Sequence, residues 1–527
     1  MLPGMHKLGV GAVIFVVALG HIALFPKVAD LEGFYHLGHA SAYAEGSMFD
    51  TSLPWATKSV IADRGADLWW GFHVGLMPFT MFSDVVWGIR LASLVLTLAL
   101  AASFFWILSR HEIGGAAAWT VVFMIAVPDV FFRHLMLRPH LVSLAAGLVL
   151  LSLLARGRWR AVFMVSALIA WTHLSLFWVG PAIALAYLLV RLGEALFGAA
   201  EGRASVPPRQ AVSAVFLGTV AGWLLRPHPI ETGLLANVEL IRLVFFKATR
   251  QPQVFTAELF PLPMGELLTT SGLFLAAWVM VCVATLAYLA RKKLLDVPAE
   301  ERTLLLTTIL ISLSFFTLTL VTARGAMEQW VAFGFLALPL FWTHVVYVYH
   351  RRSVRRLAVF LFVALAGWGG YRHVVNVDRA AFRPDTMTGP AAFMEANSEP
   401  GEVAFHAHWD NFGPLFAQNR TNLYIGGMDP IFQFVHDPRF YWEYLYLSAD
   451  INVERTCDAL SCMGATSTDT YEALRDHFAA RWVVVEPDRN PLLAAYLSGD
   501  PRFALAMETE HESVFEVLRQ MPQVPVH

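Results

Sequence analysis

The sequence predicts an α-helical polytopic membrane protein of about eleven transmembrane helices, with a soluble α/β domain at its C-terminus. Three observations predict it. Of the 527 residues, 57% are hydrophobic and 15% charged, against about 45–50% and about 25% in soluble globular chains, so lipid is the solvent for most of this chain. Several apolar runs exceed the length of a buried core helix and match the thickness of a bilayer. After about residue 372 the composition turns to Asp, Glu, Asn, Pro and Gly with short β-rich runs at 403–406 and 481–486, enough chain for one small domain. The formal net charge is −3, and no basic stripe lies outside the loops between apolar runs. Nucleic acid is therefore excluded as a partner.

The first apolar stretch, 8–25, follows only His6 and Lys7, and no small-residue cleavage site precedes the acidic segment at Asp30. It reads as a retained anchor. Further spans are expected at 85–108, 116–132, 139–155, 161–174, 176–190, 211–225, 267–290, 304–321, 330–349 and 357–371. The apolar segment 69–82 abuts the next span with no room for a turn, which predicts a re-entrant or interfacial helix. With the N-terminus inside, the basic loops all fall on one side: Arg110; Arg156, Arg158 and Arg160; Arg191, Arg203 and Arg209; Arg291, Lys292 and Lys293; Arg351, Arg352, Arg355 and Arg356. The positive-inside rule makes that side cytoplasmic. A membrane domain, 1–371, then sends a long first outer loop (26–84), the segments 133–138, 226–265 and 322–329, and the soluble domain 372–527 to the opposite face. In a bacterium this is the inner membrane with the C-terminal domain in the periplasm, where Cys457 and Cys462 are placed to pair. Cys282, inside an apolar run, is packing. No internal repeat and no matched pair of broken helices is present, which weighs against the alternative function, a transporter or flippase of a lipid-linked solute.

Residues capable of chemistry gather on the outer side. Asp30 and Glu32 open the first outer loop. If the chain is helical from Glu32, then Glu32, His36 and His39 share a face, which suits a general base or metal ligands; the same spacing fits solvated groups at a membrane surface. Arg133, His134, Arg138 and His140 flank a very short loop, where the planar guanidinium fork suits a phosphate. Glu258, two residues after Thr256, lies in the long outer loop. Arg324 stands at the outer end of a span ahead of Glu328 and Trp330, where snorkelling and an anion contact are both open. In the tail, the string from His406 to Pro430 includes Trp409 and Asp410, an apolar plate beside a hydrogen-bond acceptor, then Gly413 and the Asn419–Thr421 acceptor pattern.

In this order the features resemble the GT-C class of membrane glycosyltransferases, specifically the catalytic subunits of oligosaccharyltransferases. Residues 32–46 resemble the family's first acidic motif, Trp409 to Gly413 its Trp-Trp-Asp-Tyr-Gly acceptor motif, Glu258 the short motif ending in Glu, and Arg324 an outer-face Arg near the donor phosphates. The resemblance implies inverting transfer of a sugar or glycan from a polyprenyl-(pyro)phosphate donor to a protein, lipid or glycan acceptor. It implies Glu32 or Asp30 as base, Arg324 with Arg138 or His140 on the leaving phosphate, Trp409 and Asp410 on the acceptor, and Glu32, Glu258 and His36 as ligands of a divalent Mg or Mn. The departures are Glu32 for Asp, His408 for the first Trp, and Asn411 and Phe412 within the tail motif. The second acidic motif, between the third and fourth spans, has no counterpart in 133–140. That absence argues against the metal and leaves a metal-poor site, as in protein O-mannosyltransferases, compatible. The donor's lipid tail is expected against the short spans between about 161 and 225.

Overall fold

A computed structural model describes residues 3–196, 208–242, 257–346, 353–461 and 467–519. Thr256, Arg203, Arg351, Arg352 and Cys462, all invoked above, lie outside the described residues. Among the described residues the α-helices that lead up to the tail are α1 (Pro3–Leu24), then α2 (Glu32–Glu45), α3 (Val60–Arg64) and α4 (Trp70–Leu76) in the first outer loop, then α5 (Val85–Arg110), α6 (Ala116–Ile125), α7 (Pro128–His134), α8 (His140–Ala155), α9 (Trp159–Thr172), α10 (Val179–Leu196), α11 (Pro208–Leu224), α12 (Pro229–Asn237), α13 (Met264–Ala290), α14 (Ala299–Val321), α15 (Met327–Phe341) and α16 (Ser353–Ala380).

The segments expected to span are largely helical, but the count of about eleven straight spans is not what the described residues show. Five stretches among them are long and apolar enough to cross a membrane: Val85–Arg110, Leu174–Leu196, Met264–Ala290, Ala299–Val321 and Arg324–Val346. Gly9–Leu24, His140–Ala155 and Trp159–Thr172 are apolar but shorter. The expected span 116–132 is corrected to two helices, α6 and α7, meeting at 94°. Pro128 opens α7 and Val127 before it is extended, because proline has no N–H to continue a helix and disfavours helical backbone in the residue it follows.

Close packing holds the bundle together. A Cβ on Gly218 would collide with the Phe163 carbonyl oxygen, and one on Gly222 with that of Ala167. These two glycines, four apart, let α11 lie backbone to backbone on α9, the means by which helices associate where lipid offers no hydrophobic drive. α15 is buried along its whole length, and Trp278 of α13 donates from Nε1 to Ser312 Oγ of α14 at 3.0 Å.

The two ends of the bundle differ. At one end Arg156 is 3.4 Å from Glu300, His111 is 2.9 Å from Glu301, and Arg302 and Arg191 both pair with Glu194 at 2.9 Å, so these basic loops do gather together. At the other end, Val28 and Phe382 exchange backbone hydrogen bonds of 3.0 and 2.8 Å, which puts the start of the first outer loop beside the start of the tail.

The tail is wrapped around that loop, which itself carries a short strand, β1 (Ala56–Thr57). After α17 (Thr388–Asn397), β2 (Val403–His406), α18 (Phe412–Gln418), β3 (Leu423–Ile425) and α19 (Pro430–His436) come the hairpin β4 (Arg455–Cys457) and β5 (Ser467–Asp469), then β6 (Ala480–Val485), β7 (Phe503–Glu508) and β8 (Ser513–Val517). Cys457 is disulfide-bonded. The six-stranded sheet has the order β1-β3-β2-β6-β8-β7, so the outer loop supplies its edge strand, parallel to β3. One apolar core joins Phe34, Tyr35 and Leu37 of α2 to Phe412, Leu415 and Phe416 of α18 and Trp482 of β6. α2 is thus a core helix of this layer, which removes the reading of His36 and His39 as solvated surface groups.

Candidate active site

At the end of the bundle opposite the basic loops α2, α7, the α7–α8 loop, Glu258 and the start of α15 bring four carboxylates onto two guanidiniums. Arg138 is the hub. It donates to Asp30 through Nε at 2.5 Å and Nη2 at 3.0 Å, lies 3.2 Å from Glu32 through Nη2, and donates through Nη1 to Glu258 Oε1 at 2.6 Å. Arg133 donates to the same Glu258 oxygen at 2.6 Å and to Glu328. The second Glu328 oxygen is 2.9 Å from His140 Nε2. Glu328 is 2% exposed and Arg138 12%, so these charges exist only because they neutralise one another.

Local structure sets each position. Asp30 Oδ1 accepts the Glu32 backbone N–H at 3.1 Å and so satisfies an orphan donor at the start of α2. With Arg138 on both its oxygens, Asp30 is fully engaged. Among the described residues Glu32 has one ion-pair contact, at 3.2 Å from Arg138. Burial pushes the Glu32 carboxyl up to about 8; Arg138 pulls it down, and the charges of Asp30, Glu258 and Asp429 push it further up. Burial acts in the same direction on Glu258, but Arg133 and Arg138 overcome it and hold that carboxyl well below the usual range. Glu239, in the outer segment after α12, is raised to about 7 by burial, against a hydrogen bond from Ser175 and with the charge of Asp429 adding to it.

Only some of the residues singled out in the sequence come together here. Asp30, Glu32, Glu258, Arg138 and His140 meet in this cluster. Arg324 does not: its guanidinium pairs with Glu266, although its backbone N–H bonds to the Phe260 carbonyl at 2.7 Å and so supports the Glu258 turn. His36 also points elsewhere, its Nδ1 lying 2.8 Å from His73 Nε2, so Glu32, Glu258 and His36 do not share a ligand position. Asp410 forms an ion pair with Arg489 at 3.1 Å within the tail domain, and Trp409 packs on that domain's own apolar core. The tail reaches α2 through other residues of the same string: a Cβ on Gly413 would lie 2.7 Å from the Leu31 carbonyl oxygen, and Phe412 and Phe416 pack on Tyr35. Asn419 is buried and accepts the Thr421 N–H at 2.8 Å, a turn rather than a modification site. The structure adds Glu328, Glu239 and Asp429, to which the sequence assigns no role, and it places Arg133, one of the phosphate candidates of the short 133–138 loop, at the centre beside Arg138.

The divalent metal implied by the resemblance does not fit these side chains. Both Asp30 oxygens and Glu258 Oε1 accept guanidinium N–H groups, so Arg138 fills the place between Asp30, Glu32 and Glu258 that a cation would take.

Two solved structures, an oligosaccharyltransferase and ArnT, both GT-C glycosyltransferases, share this fold over most of the chain. The Archaeoglobus fulgidus oligosaccharyltransferase in its apo form matches with a TM-score of 0.56 at 12% identity, covering 91% of this chain and 70% of that one. ArnT from Cupriavidus metallidurans in the apo state matches with a TM-score of 0.53 at 16% identity, covering 98% of each chain. At such identities the likeness is one of fold. No family model matches the sequence, and no curated protein does.

Proposed function

We propose that this protein is an integral membrane glycosyltransferase that moves a sugar or glycan from a polyprenyl-(pyro)phosphate donor to an acceptor at the periplasmic face, with inversion at the anomeric carbon. The single observation that carries the reading is the convergence of Glu32, Asp30 and Glu258 on Arg138 and Arg133 at one end of a GT-C fold.

The acceptor oxygen attacks the anomeric carbon and its proton passes to the Glu32 carboxylate, which is loosely held and titrates near working pH as a general base should. The bond from that carbon to the donor phosphate oxygen breaks, and the electron pair leaves with the phosphate. Arg138 and Arg133 stabilise the departing charge. In the resting protein one Glu258 oxygen bridges both guanidiniums at 2.6 Å each, the arrangement a phosphate oxygen would adopt, so the donor takes the place of Glu258. Asp30 orients Arg138 and does not react. Arg324, engaged with Glu266, is assigned to the rim. The acceptor is taken beside Asp429 and Glu239, since the charge of Asp429 acts on both Glu32 and Glu239, with Trp409 and Asp410 on the tail domain.

The test is sugar transfer by Glu32→Gln in a reconstituted assay with a polyprenyl-phosphate sugar. The variant is expected to fold and bind donor but to lose transfer. Near-normal turnover would remove Glu32 from the mechanism.

A further inference from the structure

A second polar centre lies along α2, one and two turns beyond Glu32, and the reaction proposed above does not use it. It is built from His39 of α2, His73 of α4 and Asp67 just before α4, all of them buried. One ligand atom from each lies within 4.8 Å of the other two.

The hydrogen bonds sort the nitrogens. His73 Nδ1 is 2.6 Å from Asp67 Oδ2, while its Nε2 is 2.8 Å from His36 Nδ1. His39 Nδ1 is 3.3 Å from the Tyr35 hydroxyl, which leaves Nε2, and that atom is buried with no hydrogen-bond partner among the described residues. Each imidazole therefore has one nitrogen bonded outward and one turned to the shared centre, the arrangement that fixes ring orientation in metal-ligating histidines. Asp67 is fixed in the same way: Oδ1 accepts the Trp69 N–H at 2.8 Å and Oδ2 the Tyr43 hydroxyl at 2.8 Å. Arg226 is engaged by the Asp67 backbone carbonyl and leaves the carboxylate to the imidazoles. A buried imidazole nitrogen without a partner is costly, and a cation at this centre would satisfy it.

We propose that His39, His73 and Asp67 bind one zinc ion, with the Tyr43 hydroxyl or a water as fourth ligand, in a closed structural site that pins α2 to the 67–76 segment. Two imidazoles and one carboxylate match zinc's preference for nitrogen and oxygen ligands in four-coordinate geometry. The site is separate from the Arg138 cluster, and its existence does not depend on the transferase reading.

The experiment uses full-length protein in detergent, stripped with EDTA and titrated with Co2+ and then Zn2+. One Co2+ per chain with the visible bands of four-coordinate cobalt is expected, displaced by one equivalent of Zn2+, with a rise in thermal midpoint on adding Zn2+. His39→Gln and Asp67→Asn should lose the bands, and Glu258→Gln should keep them. Absence of bands in the unaltered protein overturns the proposal, as do bands undiminished by both substitutions or lost in Glu258→Gln. Should neither variant fold, X-ray absorption at the zinc edge of the unaltered protein decides: two imidazole ligands uphold the site, and one or none overturns it.

Discussion

Arg138 is the residue on which the outer cluster depends, because three carboxylates meet on its guanidinium. Arg138→Gln leaves Asp30, Glu32 and Glu258 facing one another without their cation, and loss of one partner from a buried pair costs about 3–5 kcal/mol; a fall of that size in unfolding free energy is expected in detergent. Glu258→Gln acts in the opposite sense on the donor. A neutral amide holds the guanidiniums less tightly than a carboxylate, so polyprenyl phosphate should bind that variant more tightly in a direct binding measurement, and weaker binding would show that Glu258 is not the group the donor replaces. Glu32 sets the pH behaviour. Its carboxyl is raised from an ordinary 4.5 to about 8, so the folded state holds its proton more firmly than the unfolded chain does. The stability this contributes is fully present below about pH 4.5 and is lost as pH rises through about 8. Transfer, which needs the ionised base, should rise across the same upper range and level off above about 8, and Glu32→Gln should flatten the stability slope. These residues were visible in the sequence as types at one membrane face. That Arg133 and Arg138 saturate the carboxylates was not, because an ion pair between residues more than a hundred positions apart has no local signature.

At the scale of elements, α2 and α18 are joined by a close backbone approach. Gly413 sits where any Cβ would press on the Leu31 carbonyl oxygen, between Asp30 and Glu32. Gly413→Ala should therefore push α18 off α2, lower stability by about 1–3 kcal/mol as overpacking does, and reduce transfer. Gly499→Ala, where a Cβ meets open space, is the control, and equal effects from the two substitutions would refute the contact's role. Helical periodicity placed Glu32, His36 and His39 on one face, and they do share α2. Periodicity could not show that this face divides, Glu32 going to Arg138 and the two histidines to Asp67 and His73. The break between α6 and α7 has a local cause in Pro128, which the expected span 116–132 passed over, whereas its 94° angle depends on how α7 packs: Asn376 of α16 donates to Asp129 at 2.6 Å and Phe131 packs on the His373 ring.

For the whole molecule the first outer loop and the tail form one layer at one end of the helices, while the basic loops gather at the other. If the basic end is cytoplasmic, Glu45→Cys in a Cys282→Ala background should react with a membrane-impermeant thiol reagent in intact cells with a permeabilised outer membrane, and Arg158→Cys should not; the reverse pattern would invert the orientation. Composition and apolar run length by themselves determined that the chain is a helical membrane protein with a polar tail, since the transfer of each residue between water and lipid is a local property. The carboxylates and arginines of the outer segments were fixed in the same way, as residue types at particular heights. Only the tertiary structure decided that a segment of the first loop supplies the edge strand β1 of the tail's sheet, that Arg138 stands between Glu32 and Glu258, and that the charge of Asp429 acts on Glu32. Strand pairing and buried charge neutralisation depend on which distant segments the packed helices bring together, and no window of sequence contains both partners.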